Sequence, residues 1–162
     1  YGYLSMMLAW VSPKRKIVAI DYDRDKIDVA SHCLSKPPNV MFSHEDITSY
    51  EFGNSDVFIL SDVLHYLTPE NQFGILHQCV DRLNAGGIIL IRDANKDSER
   101  QHRKTRWTEF MSTNFGFNKT ANDKLHFFSA ARLADIAASL NVNVQIIKNP
   151  RITSNTLYLI KK

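Results

Sequence analysis

The chain has 162 residues, 44% hydrophobic and 23% charged, which are ordinary values for one globular domain. No stretch nears the roughly 20 apolar residues of a membrane span. A net charge of +3 is too small to argue for nucleic acid, and two cysteines, Cys33 and Cys79, are too few for a disulfide framework or a zinc site. Reduced structural cysteines favour a reducing cytoplasm.

The chain opens on a glycine turn, Tyr1-Gly2-Tyr3, and Leu4 to Val11 reads as a first helix closed by Ser12-Pro13. Ile17 to Ile20 is apolar without alternation, as in a buried parallel strand, and runs into Asp21. That acid follows Gly2 by 19 residues. Glycine lets backbone approach a ligand, and an acid about 20 residues on at a strand end can bind a ribose hydroxyl. Such a turn normally follows a strand, and none precedes it here. The expectation is therefore an N-terminally incomplete domain.

Lys26 to Leu34 reads as a helix with Ile27, Ala30 and Leu34 on one face, broken by Pro37-Pro38-Asn39. Val40-Met41-Phe42 and Val57 to Leu60 are strands. Thr68-Pro69-Glu70 starts a well-marked helix, since threonine can cap it and proline suits its first position. Phe73, Leu76, Val80 and Leu83 form its expected inner stripe, Gly86-Gly87 its end, and Ile88 to Ile91 the next strand, closing on Arg92-Asp93.

Asn95 to Arg106 is polar, and Trp107 to Phe117 is aromatic and expected to be helical in part. The stretch 95–128 reads as an insertion beside an acceptor site. Ser129 caps another helix with Leu133, Ile136, Ala137 and Leu140 inward. Val144 to Ile147 and Thr156 to Ile160 are the last strands. Pro150 to Asn155 is too short for a parallel crossover, so they should pair antiparallel.

This order of elements resembles the class I S-adenosylmethionine-dependent methyltransferases, especially the small-molecule type, over the whole chain. Tyr1 to Ser5 is similar to the end of that family's glycine-rich motif, with Gly2 its last glycine. Ile20-Asp21-Tyr22-Asp23 is similar to its second motif, Glu45-Asp46-Ile47 to its third, Ser61 to Leu67 to the segment after the fourth strand, and Leu83 to Leu90 to the entry of the fifth. A terminal antiparallel strand pair is also a family mark.

The resemblance implies a three-layer α/β Rossmann-like sandwich, mostly parallel with an antiparallel C-terminal strand, and S-adenosylmethionine as cofactor. It places Gly2, Asp21, Tyr22, Asp46, Ile47 and Asp62 around that cofactor, Asp21 on the ribose and Asp46 at the adenine amine. His65 becomes a base or a wall beside the methyl group, and Asp93 a second catalytic candidate at a strand tip. No metal is implied. His32, His44 and His77 read as structural or exposed.

Arg100, His102, Arg103, Lys104 and Arg106 form a basic run: a solvated helix face, or a lid preferring an anionic acceptor or an acidic carrier protein. Trp107, Phe110, Phe115 and Phe117 line an acceptor pocket or pack the lid down. One stacking aromatic beside the run argues against nucleic acid. The family's first strand lies mid-sheet, between those built on Val18 and Phe58. Without it, either a homo-oligomer closes the sheet or those two strands meet directly. The alternatives to methyl transfer are a non-catalytic scaffold of the same fold and a nicotinamide-dependent reductase.

Overall fold

Where the sequence marks helix starts with short polar side chains, the computed structural model forms caps. Asp23 accepts from the Asp25 N–H, Thr68 from Asn71 and Ser129 from Arg132. The structure describes residues 2–94, 126, 129–147 and 155–162. They fall into two compact units, residues 1–51 and 52–162.

The first unit contains α1 (Tyr3–Val11), β1 (Ile17–Asp21), α2 (Arg24–Ser31) and β2 (Val40–His44). β1 and β2 pair in parallel, Ile17 against Val40 through Asp21 against His44. Met6 and Ala9 of α1, and Ile27 and Ala30 of α2, are buried. α2 starts two residues before its expected position because Asp23, not a later residue, caps it. It stops at Ser31, and Leu34, expected on the inner face, is fully exposed beyond it.

The second unit holds β3 (Ser55–Ser61), a 3₁₀ turn (Leu64–Tyr66), α3 (Pro69–Arg82), β4 (Leu83–Ala94), α4 (Ala130–Ser139), β5 (Asn143–Ile147) and β6 (Asn155–Lys161). Its sheet runs β3-β4-β6-β5. β3 and β4 are parallel, and β6 is antiparallel to both β4 and β5, as the short link predicts. Ile89, Ile91, Asp93, Tyr158 and Ile160 are buried on one face, where α3 packs on β4 and α4 on β5. The Arg132 guanidinium donates to the Pro69 carbonyl at 2.9 Å and ties α4 to the start of α3.

Two expectations change in α3. Phe73 is half-exposed, and the buried stripe is Gln72, Ile75, Leu76, Cys79 and Val80. Gly86-Gly87 does not end the helix, which stops at Arg82; the glycines lie inside β4, beside a register shift between Ser55 and Val57. A Cβ on Gly87 would sit 2.7 Å from the Asp56 carbonyl oxygen and 2.9 Å from that of Asn84, so only glycine lets the strands close there. The strands at Val18 and Phe58 belong to separate sheets, so of the two expected outcomes the direct pairing is not the one seen.

Candidate active site

In the first unit the motif residues gather around the carboxyl end of β1. Gly2 is the N-cap of α1 at φ 72, a conformation that disfavours side chains. A Cβ there would lie 2.5 Å from the Phe42 ring and 2.9 Å from the Ala30 methyl. Its smallness therefore also serves packing of α1 on β2 and α2.

Asp21 ends β1. Its Oδ1 accepts from the Asp23 N–H at 2.9 Å and shapes the turn into α2, while Oδ2 has no partner among the described residues. The Asp21 carbonyl accepts from the Glu45 N–H at 3.1 Å, which brings the second and third motifs side by side. Tyr22 is half-exposed, with its carbonyl 2.9 Å from the His44 Nε2. Asp46 is exposed; its Oδ1 takes both the N–H and the hydroxyl of Thr48, at 2.8 and 2.7 Å. Ile47 beside it is half-buried. Two acids each keep one carboxylate oxygen for a ligand hydroxyl or amine, next to an accessible aromatic ring. This set of acceptors suits a nucleoside.

In the second unit the structure brings His65 and Asp93 together. They leave the carboxyl ends of the parallel strands β3 and β4, the end where such sheets place ligands. The His65 Nδ1 is 2.6 Å from Asp93 Oδ1. Asp93 Oδ2 accepts from the N–H groups of Leu64 and His65 at 3.0 and 3.3 Å. Asp93 is 0% exposed and His65 7%. A carboxylate so enclosed holds the turn and the ring. A carboxylate facing Nδ1 makes that nitrogen the proton-bearing one.

Asp62, at φ 54, is one of two non-glycine residues in the left-handed region among the described residues. Its N–H donates to the Arg92 carbonyl at 2.8 Å and its carboxylate pairs with the Arg92 guanidinium. The sequence reading missed Arg92 as its partner. It also missed Gln72, whose only sequence signal is an amide inside an apolar helical stripe. The basic run from Arg100 to Arg106 and the aromatics from Trp107 to Phe117 lie outside the described residues. No cluster of potential metal ligands occurs among the described residues, and none of their helices is long and apolar enough to cross a membrane.

A family model described as "Methyltransferase domain" matches residues 1–87, more than half of the chain. The chain belongs to the methyltransferase-domain family. Among curated relatives, carboxy-S-adenosyl-L-methionine synthase of Vibrio parahaemolyticus is 29% identical over 83 residues, which are 48% of this chain and 33% of that protein. Human N-acetylserotonin methyltransferase, solved with S-adenosylmethionine, matches 99% of this chain and 44% of its own at 20% identity and TM-score 0.72. The N-methyltransferase NodS of Bradyrhizobium japonicum, solved with S-adenosyl-L-homocysteine, matches 99% of this chain and 72% of its own at 17% identity and TM-score 0.66. The methyltransferase-domain chain therefore has the α/β Rossmann-like fold, and it spans about a third of the length of that curated relative.

Proposed function

We propose that the protein transfers a methyl group from S-adenosylmethionine to a small-molecule acceptor. The observation that carries this reading is the buried His65–Asp93 pair at the carboxyl ends of β3 and β4 in a chain of this family. The sulfonium of the cofactor supplies an already activated methyl group. What remains for the protein is to bind, orient and exclude water.

Asp21 binds the ribose hydroxyls through Oδ2, the oxygen its own turn does not use. Asp46 is left one oxygen for the adenine amine, and Tyr22 and Ile47 offer apolar surface to the base. Gly2 keeps backbone close to the ligand. Asp62, placed by the resemblance beside the cofactor, is held by Arg92. With Nδ1–H donated to Asp93, His65 is kept in the tautomer whose Nε2 is the basic nitrogen. An acceptor hydroxyl or amine gives its proton there as the methyl arrives.

The neighbours named for methylating N-acetylserotonin and for N-methylation support a small organic acceptor without fixing its atom. The basic run supports an anionic acceptor or one on an acidic carrier protein. The family match weighs against the reductase reading. Calorimetric titration with S-adenosyl-L-homocysteine, then mass spectrometry of candidate acceptors with the methyl-labelled cofactor, tests the proposal. Saturable binding and a gain of one methyl on the acceptor are expected. Binding without any labelled product across acceptor classes would favour the scaffold reading. Because the curated relative makes a carboxylated form of the cofactor, the cofactor itself must also be weighed after incubation.

A further inference from the structure

Gln72 occupies an apolar position. It lies on α3 three, four and seven residues before Ile75, Leu76 and Cys79, all buried, and is itself 1% exposed. Methionine of the same length would serve packing alone. The amide does something else. Its Nε2 donates to the carbonyls of Leu64 at 2.9 Å, Leu67 at 3.2 Å and His126 at 2.9 Å. Three carbonyl acceptors fix which end of the amide faces them.

Leu64 and Leu67 bracket His65 in the 3₁₀ turn. The His126 N–H in turn donates to the His65 carbonyl at 2.8 Å. Asp93 grips the same turn from the other side, through the N–H groups of Leu64 and His65. The backbone carrying His65 is thus bound on its N–H groups by Asp93 and on its carbonyls by Gln72 and His126. A turn of three residues has little packing of its own to hold a ring in one place.

We infer that Gln72 is the positioning residue for His65. Its amide fixes the turn and joins it to α3 and to the chain at His126, so that the imidazole meets Asp93 in one rotamer and one tautomer. The catalytic meaning of this rests on the reading of His65 as the group facing the acceptor.

The test uses the full chain labelled with [15N]histidine, whose imidazole nitrogens report the tautomer directly. The wild type is expected to show neutral His65 as a single Nδ1–H tautomer. Gln72→Met removes both donors and leaves Asp93 in place; the same resonances should move toward the average of two tautomers. A folded Gln72→Met protein with the wild-type His65 spectrum would overturn the inference.

Two further measurements cover a Gln72→Met protein that does not fold. In Gln72→Glu the introduced carboxyl donates one hydrogen bond when protonated and none when ionised. The His65 tautomer mixture should therefore appear reversibly as pH rises through the titration of that carboxyl, and a pH-independent tautomer overturns the inference. In the wild type the Gln72 side-chain amide should exchange far more slowly than free glutamine; exchange at the free rate overturns it as well. Calorimetry with S-adenosyl-L-homocysteine is a separate arm. No binding there removes the methyl-transfer reading, while the imidazole spectrum alone decides the role of Gln72.

Discussion

Asp93 Oδ1 and His65 Nδ1 meet at 2.6 Å, joining residues 28 positions apart in a place where both side chains are buried. The other oxygen of the same carboxylate binds the backbone that carries the ring. Changing Asp93 to Asn keeps a carbonyl oxygen for those two N–H groups and turns an amide donor toward Nδ1. His65 must then accept on Nδ1 and carry its proton on Nε2. A loss of roughly 10²–10⁴ in methyl-transfer rate is expected, the scale of general-base catalysis. Stability should fall by about 1–3 kcal/mol, the scale of a disturbed buried hydrogen-bond group. Imidazole nitrogen spectra check the tautomer and urea unfolding checks the stability. An unaltered rate would leave His65 as a wall of the site.

The glycines of β4 predict a second outcome. Gly87→Ala sets a methyl against two backbone carbonyls, at Asp56 and Asn84, that no rotamer change can move. The strands at the register shift must separate, at about 1–3 kcal/mol, the cost of overpacking a filled space. Equilibrium unfolding of Gly87→Ala should show it with an unchanged denaturant slope.

Local signals made much of this fold legible. Asp21 after an apolar run, Thr68-Pro69 before a helix, Ser129 before another and the short link before Asn155 each act over a few residues, and each leads to the element observed. Long-range partners did not show. Phe73 belongs inside by hydropathy and Gln72 outside, yet the amide is buried because carbonyls eight and five residues before it, and one 54 residues after it, receive its protons. Gly86-Gly87 reads as a helix stop because glycine usually marks one; the reason for Gly87 is the approach of Asp56, far back in the chain, and for Gly86 a positive φ of 75. Among the candidate residues, the types and order of Asp21, Asp46, His65 and Asp93 were visible. That Asp93 is enclosed and serves His65, and that Asp62 is paired with Arg92, depended on distances across the sheet.

The two thiols differ in kind. Burial pushes the Cys79 thiol up to about 12, whereas hydrogen bonding to Ser35 holds Cys33 below the usual thiol range. The thiolate is the reactive form. At pH 8 iodoacetamide should therefore label Cys33 and spare Cys79 until the protein is unfolded. Peptide mapping after graded labelling checks this, and early modification of Cys79 would mean that α3 opens readily.

Glu70 gives a pH dependence with a definite sign. Hydrogen bonds from its own N–H, then from the Thr68 side chain, at the start of α3 hold its carboxyl below the usual carboxylate range. A folded value below the unfolded one adds stability above the unfolded pKa. That contribution is lost as pH falls through the folded value. Glu70→Gln should thus be less stable than wild type at pH 7, and the difference should vanish in acid below the folded value. Parallel thermal unfolding at both ends of that range checks it; a difference that grew in acid would contradict the assignment.

The last prediction concerns cofactor binding. Asp21 holds the turn into α2 with Oδ1, and the proposed ribose contact falls to Oδ2. Asp21→Ala removes both, so weaker binding alone would not separate a lost ligand contact from a disturbed turn. Asp21→Asn separates them. It retains an oxygen to accept from the Asp23 N–H and replaces the ribose acceptor with an amide donor. If the carboxylate binds the ribose, both variants should weaken S-adenosyl-L-homocysteine by about 1–3 kcal/mol, the scale of a charge-assisted hydrogen bond, or roughly 5- to 150-fold in Kd. If Asp21 only shapes the turn, the asparagine variant should bind as tightly as wild type and only the alanine variant should bind weakly. Calorimetry on the three proteins decides between these outcomes. The second pattern would leave Asp46, with its remaining carboxylate oxygen, as the acid to test next.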